Sequence, residues 1–116
     1  MRPVIAAASL ILAIIAAGCS SNPPLRTDAS SSAIHAAEAV GVEGAPRAAL
    51  HLQLAKESLA QAQVLAEKGD REEARSLLMR AQADAELAIL LSREQSVKTE
   101  AALAVDKVRQ LQQENR

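Results

Sequence analysis

The chain has 116 residues and a formal net charge of −1, and 49% of its residues are hydrophobic although Phe, Tyr and Trp are all absent. An aromatic side chain can bury on the order of 150–250 Å², so a core without aromatics must be built from Ala and Leu, and Ala has the highest intrinsic helix propensity. Acidic and basic residues are interspersed, which leaves no basic stripe for a phosphate backbone and no ring to stack on a base. We therefore predict an all-α protein and expect no nucleic-acid partner.

Residues 1–18 have the pattern of a bacterial export signal. Arg2 gives a positive start, and residues 4–17 form an uncharged apolar run that ends in small residues. A positive start, an apolar segment of this length and small residues before the cut are typical of a cleaved signal peptide. A membrane-spanning helix needs about 20 apolar residues, so we predict a signal peptide and not a transmembrane segment.

The signal ends at the only cysteine, Cys19, and resembles the lipobox of bacterial lipoproteins. Ala17, Gly18 and Cys19 fit that motif, while Ala16 stands where Leu is usual. The resemblance implies cleavage between Gly18 and Cys19 and acylation of Cys19 by fatty chains such as palmitate. It also implies that Ser20 sorts the protein to the outer membrane, facing the periplasm, if the source is Gram-negative. The alternative is an ordinary secretory signal followed by an unpaired thiol.

Residues 19–32 are predicted to form a flexible tether, and residues 33–40 a short first helix. The tether is rich in Ser, Asn and Pro and cannot bury apolar area. The serines at 30–32 offer oxygen atoms that can cap a helix, and Gly41 can supply the left-handed residue at its end. A helix this short is marginal in water, so we expect it to dock on the rest of the helical domain, residues 33–116.

A stronger helical pattern covers residues 46–68. Pro46 suits the first turn of a helix. Alternating spacings of four and three place one set of residues on a single helix face, namely Ala48, Leu52, Ala55, Leu59, Ala62 and Ala66. Gly69 is expected to end this helix, and Asp70 with Glu73 matches a variant of the capping box that starts the next helix. The chain then doubles back, which predicts an antiparallel Ala/Leu helical hairpin.

The third predicted helix is long and covers residues 70–115. The same rhythm recurs in its first half at Ala74, Leu78, Ala81, Ala85 and Ala88. Residues 92–100 are polar apart from Val97, and the sequence leaves open whether the helix is continuous there. The apolar rhythm then resumes at Ala101, Ala104, Val108 and Leu111. The second helix is too short to cover this later stripe, so we expect it to meet an envelope protein or another copy of the chain, unless the first helix reaches it.

The helical part of the chain resembles an alanine-rich bacterial lipoprotein family catalogued as domain of unknown function 4398. The likeness rests on Gly-Ala-Pro at residues 44–46, Lys-Gly-Asp at residues 68–70 and the segment at residues 81–88. The resemblance implies a small envelope lipoprotein and no particular activity. Cys-Ser-Ser-Asn at residues 19–22 is also similar to the murein lipoprotein of enteric bacteria. That protein attaches to peptidoglycan through a C-terminal lysine, whereas Arg116 ends this chain.

Other candidate site residues have a simpler structural interpretation. His35 and His51 have no Cys, Asp or Glu cluster at ligand spacing, so we predict no metal site. Neighbouring carboxylates on a helix point in different directions, which makes caps or solvated faces the expected role of Glu72, Glu73, Asp84 and Glu86. The serines at 58, 76, 92 and 96 lack a nucleophile motif, and the chain has no glycine-rich phosphate loop. We therefore expect no enzyme activity, no cofactor and no small-molecule substrate. Met79 is expected to fill the core.

The sequence as a whole favours a structural or adaptor lipoprotein of the bacterial envelope. In this interpretation Cys19 carries the membrane lipid and the helical hairpin is presented in the periplasm. Two alternatives remain at this point. One is a tetratricopeptide-like module that binds a peptide, although a single hairpin lacks the stacked repeats of that class. The other is a coiled-coil oligomer associated with peptidoglycan, like the murein lipoprotein.

Overall fold

A computed structural model describes residues 24–116. The predicted signal peptide, the cleavage site at Gly18 and Cys19, and the first five residues of the predicted tether, 19–23, lie outside the described residues. The described part of the chain contains three α-helices and no strand: α1 (Asp28–Val40), α2 (Pro46–Lys68) and α3 (Arg71–Glu114), with a 3₁₀ turn over Val42–Gly44. The predicted all-α fold is therefore confirmed.

The pairing of α2 with the first half of α3 follows the predicted alanine rhythm. Every member of the set predicted for α3 is buried: Ala74, Leu78, Ala81, Ala85 and Ala88. On α2 the residues buried are Ala48, Leu52, Ala55, Ser58 and Ala62, while Leu59 and Ala66 are half-buried. Most of these alanines have no exposed surface at all. The methyl side chains let the two helices approach closely, since interaxial distance depends on the side chains at the contact.

The turn between α2 and α3 depends on Gly69. Its φ of 92° lies in the left-handed region. The N–H of Gly69 donates to the carbonyl of Ala66, and the N–H of Asp70 donates to the carbonyl of Leu65 at 2.9 Å, which is the Schellman arrangement of a helix end. Asp70 precedes α3, but its side chain makes no capping hydrogen bond. The prediction of a capping box with Glu73 is therefore wrong, because the ψ of 62° at Asp70 lies outside the β-region backbone from which an N-cap side chain reaches the N–H groups of the next helix.

Helix α1 begins earlier than predicted, at Asp28 and not at residue 33. Residues 28–32, predicted as tether, are helical because they dock on the hairpin. Ser30 is buried at 2% exposure, and its Oγ donates to the carbonyl of Thr27 at 2.9 Å. Serine occurs in flexible tethers, and its small side chain also fits a close contact with α3. The serine-rich composition alone therefore could not show that α1 begins at Asp28.

The three helices form a bundle in which α1 runs parallel to α3. Leu25, just before α1, packs with Ala74 and Leu78 near the start of α3. Ile34 and Ala37 pack farther along, in the same cluster as Ala85 and Ala88. Val42, in the segment between the first two predicted helices, is fully buried in that cluster. The chain entering the bundle before α1 therefore lies at the opposite end from the C-terminus of α3.

Helix α3 is continuous through residues 92–100, which resolves what the sequence left open. Its 44 residues correspond to about 66 Å at 1.5 Å per residue. Residues 93–116, here called the overhang, are all exposed. Helix α1 does not cover the overhang, so the apolar stripe after Val97 has no partner within the described chain.

Candidate functional site

The predicted lipidation residue, Cys19, lies outside the described residues. The structure locates the chain from residue 24 onward. Pro24 and Leu25 lie beside Arg71 and Leu78, at the start of α3. No helix in the described part is long and apolar enough to cross a membrane. Because Pro24 and Leu25 lie at the start of α3, a membrane attachment through Cys19 would hold the bundle by that end.

His51 and Asp84 form a polar contact between α2 and α3. The Nδ1 atom of His51 lies 2.9 Å from Oδ1 of Asp84, and their side chains are only 26% and 15% exposed. Arg80, one turn before Asp84, has its Nε 3.8 Å from Oδ2. The carboxylate of Asp84 thus accepts a hydrogen bond from His51 on α2 and faces the guanidinium of Arg80 on α3, its own helix. The sequence identified both residues but could not bring them together, because they are separated by 33 positions.

A second contact joins α1 to α2 through Glu38. The Nζ of Lys56 lies 2.6 Å from Oε1 of Glu38, and Nδ1 of His35 lies 3.1 Å from Oε2. The hydrogen bond from Lys56, followed by that with His35, holds the pKa of Glu38 below its ordinary value. Sequence reasoning missed Glu38 and Lys56, since neither stands in a recognisable motif. Both contacts are bridges between helices.

The remaining candidate carboxylates and serines are dispersed over the helices and do not form one cluster. Glu72 accepts from Arg75 at 3.0 Å, and Glu86 accepts from Gln82 at 2.8 Å. Ser58 and Ser92 are buried among helix contacts, whereas Ser76 is exposed. Within residues 24–116, no three His, Cys, Asp or Glu side chains are arranged to hold a metal ion.

Most of the exposed large apolar residues in the described chain lie on α3. Met79, predicted to fill the core, is instead 69% exposed, because it lines an open groove between α3 and the start of α1, with Leu25 and Ala29. Leu90 is 60% exposed. In the overhang, Val97, Leu103, Val105, Val108 and Leu111 are exposed as well. An exposed apolar stripe along a helix is typical of a surface that associates with another helix.

A comparison with known protein families found one family whose model matches most of the described chain. The model of the family described as Domain of unknown function (DUF4398) matches residues 26–105, from just before α1 into the overhang. The chain belongs to this family. The match covers α1, α2 and α3 as far as residue 105, and it confirms the resemblance seen at residues 44–46, 68–70 and 81–88. Neither the curated proteins nor the solved structures include one that matches the chain.

Proposed function

We propose that this family member is a bacterial envelope lipoprotein of structural or adaptor type. In this proposal Cys19 is acylated and the three-helix bundle is held at a membrane surface, most simply the periplasmic face of the outer membrane. The lipobox-like residues before Cys19 and the Ser at position 20 support it. Each buried CH₂ contributes about 0.8 kcal/mol, so one fatty chain binds marginally and two or more anchor stably.

The observation that carries the adaptor role is the parallel course of α1 and α3. The chain from Cys19 enters the bundle at Leu25, beside Leu78. The overhang leaves the bundle at the other end, and Leu78 to Glu114 corresponds to about 54 Å of helix at 1.5 Å per residue. An anchor at Cys19 would therefore hold the overhang away from the attachment point, where its apolar stripe is accessible to an envelope partner.

The proposal includes no catalytic step, no cofactor and no small-molecule substrate. The polar contacts at His51 and Glu38 join helices, so a structural role accounts for them. A tetratricopeptide-like peptide-binding role ranks lower, because α1 already packs against the hairpin that would have to receive the peptide. None of the described residues specifically favours an association with peptidoglycan.

Metabolic labelling tests the anchor directly. The full-length chain would be expressed in a Gram-negative host with labelled palmitate, beside Cys19→Ala and a matched Ser21→Ala control. The original chain and the Ser21 variant should both carry label and sediment with membranes, whereas Cys19→Ala should lose both properties. Label or membrane association that persists in Cys19→Ala would overturn the lipid anchor.

Membrane sorting is tested separately by Ser20→Asp, since Asp after the cysteine favours retention in the inner membrane. Density-gradient separation of the two membranes should place the original chain in the outer-membrane fractions and Ser20→Asp in the inner-membrane fractions. An original chain found in the inner membrane would contradict the proposed location while leaving the anchor intact.

A further inference from the structure

The exposed apolar residues of α3 follow a seven-residue repeat. With the positions lettered a to g and Ala101 placed at a, positions a and d contain Leu87, Leu90, Val97, Ala101, Ala104, Val108 and Leu111, with Glu94 the only charged member between Leu87 and Leu111. Val97, Val108 and Leu111 are 64%, 53% and 45% exposed. A seam of this period is what one helix presents to another in a coiled coil.

One flank of this seam has an alternating charge pattern. The g positions from residue 86 onward are Glu86, Arg93, Glu100, Lys107 and Glu114, so the sign changes at every repeat. Within the described chain, none of Arg93, Glu100, Lys107 and Glu114 forms an ion pair. In contrast, Asp106 and Arg109, on the outer face of the overhang, pair with each other at 3.2 Å. The flank therefore offers charges that the chain itself does not neutralise.

This alternation distinguishes the two directions in which a second α3 could lie. In a parallel pair, g of one helix faces the following e of the other. That arrangement brings Arg93 against Lys98, and it sets Glu100 against Val105 and Lys107 against Gln112. A parallel pair thus has one repulsive contact and no attractive one. In an antiparallel pair g faces g, and opposite signs can meet along the whole flank.

The register is also constrained by charge. When the overhangs overlap over residues 93–114, Glu100 faces the second copy's Lys107 and Arg93 faces its Glu114, and two-fold symmetry repeats both contacts. A shift by one repeat opposes Glu100 to Glu100 and Arg93 to Lys107. A shift by two repeats restores opposite charges but places Glu94 against Val97 near the symmetry axis, where desolvation of a carboxylate is costly.

We propose that residues 93–114 of α3 bind the same segment of a second copy in an antiparallel two-stranded coiled coil. Ala101 then packs against the second copy's Ala104, and Val97 against its Val108, so the four central layers are apolar. Three heptads are short for a coiled coil, so the pairing is reversible and depends on concentration. It goes beyond the membrane anchor and does not depend on acylation of Cys19.

Site-specific crosslinking tests direction and register together. Val97→Cys and Val108→Cys versions of the full-length chain, carrying different tags, would be expressed separately and together, and crosslinked in intact cells. The antiparallel pair brings residue 97 of one copy to residue 108 of the other, whereas two residues 97 are about 16 Å apart along the axis. A bis-maleimide of shorter reach should link the two variants to each other and neither to itself. The unsubstituted chain controls for Cys19.

Each other outcome contradicts the proposal. Linkage of Val97→Cys to itself would indicate a parallel pair, and no linkage in any combination would indicate that the overhang does not bind a second copy. Neither outcome depends on whether Cys19→Ala leaves the membrane, so the failure of the pairing and the failure of the anchor are distinguishable.

Charge exchange provides an independent test. Glu100→Lys or Lys107→Glu alone replaces two attractive contacts by two repulsive ones, which should raise the dissociation constant of the detergent-solubilised full-length chain about tenfold. The combined Glu100→Lys, Lys107→Glu variant should restore the original value, and Lys107→Arg should leave it unchanged. A combined variant as weak as the single ones would overturn the register, since in the register shifted by two repeats the exchange opposes like charges.

Discussion

The Nδ1 atom of His51 lies 2.9 Å from Oδ1 of Asp84, and this contact joins α2 to α3 beside the alanine seam. Both side chains are mostly shielded from water, with 26% and 15% of their surfaces exposed. A partly buried polar group that loses its partner pays the cost of its desolvation. The pair therefore fixes the rotation of one helix against the other, which the small alanine side chains alone specify weakly.

We expect His51→Ala and Asp84→Ala each to lower the free energy of unfolding by about 1–2 kcal/mol. The double variant should cost less than the sum of the two, because the interaction is lost only once. Denaturant unfolding followed by far-ultraviolet circular dichroism measures this, since the chain has no Trp or Tyr. Gln61→Ala is the matched control, because that side chain is exposed on the same helix as His51. Strictly additive losses would show that His51 and Asp84 do not interact.

Gly69 and Gly44 form a matched pair for testing backbone strain. Gly69 has a φ of 92°, while a Cβ added at either position meets nothing within 4 Å. Gly69→Ala should therefore destabilise the protein by about 1–2 kcal/mol through the left-handed backbone alone. Gly44→Ala should be neutral or stabilising, because it reduces the freedom of the unfolded chain. Thermal unfolding of both variants checks this, and equal melting temperatures would contradict it.

Overpacking tests the close approach of α2 to α3. Ala55 is fully buried in the cluster that contains Ala85 and Ala88, so Ala55→Leu must force these helices apart. We expect a loss of about 1–3 kcal/mol in the free energy of unfolding. Ala60→Leu, on the exposed face of the same helix, should change it little. An Ala55→Leu variant as stable as Ala60→Leu would mean that the seam tolerates a wider separation.

The lowered pKa of Glu38 predicts acid sensitivity at the junction of α1 with α2. Its carboxylate is held charged first by the hydrogen bond from Lys56 and then by that with His35. Because the folded-state pKa is depressed, the contribution of Glu38 to stability is present above its unfolded-state pKa and is lost as pH falls through the folded-state pKa. Lys56→Met should raise the pKa of Glu38 toward its ordinary value.

Carboxyl titration by NMR measures the pKa of Glu38 in both proteins. Glu94 provides the internal control, because its pKa is lowered mainly by the hydrogen bond from Lys98 on its own helix. Lys56→Met should leave the Glu94 titration unchanged. A Glu38 titration that does not respond to Lys56→Met would mean that the bridge contributes nothing in solution.

The alanine rhythm was sufficient to predict the hairpin, because spacings of four and three assign a helix face without reference to the rest of the fold. The start of α1 was not predictable in this way. Ser30 is buried only because Leu25 and the residues around it find a surface on α3, and that surface exists only in the folded bundle. His51 and Asp84 illustrate the same limit, since their contact depends on the relative rotation of two helices.

The end of the alanine seam near Ser92 divides α3 into two parts with different local stability. Amide hydrogens before this point exchange with solvent only when the bundle opens, so their protection reports global unfolding. Those in residues 101–114 belong to the end of α3 that packs on no other described helix, where helix propensity alone gives marginal stability in water, and a protease should cleave there first. When two copies pair, the overhang of each copy gains a partner. The protection of residues 101–114 should therefore rise with protein concentration, while that of residues 74–91 stays constant.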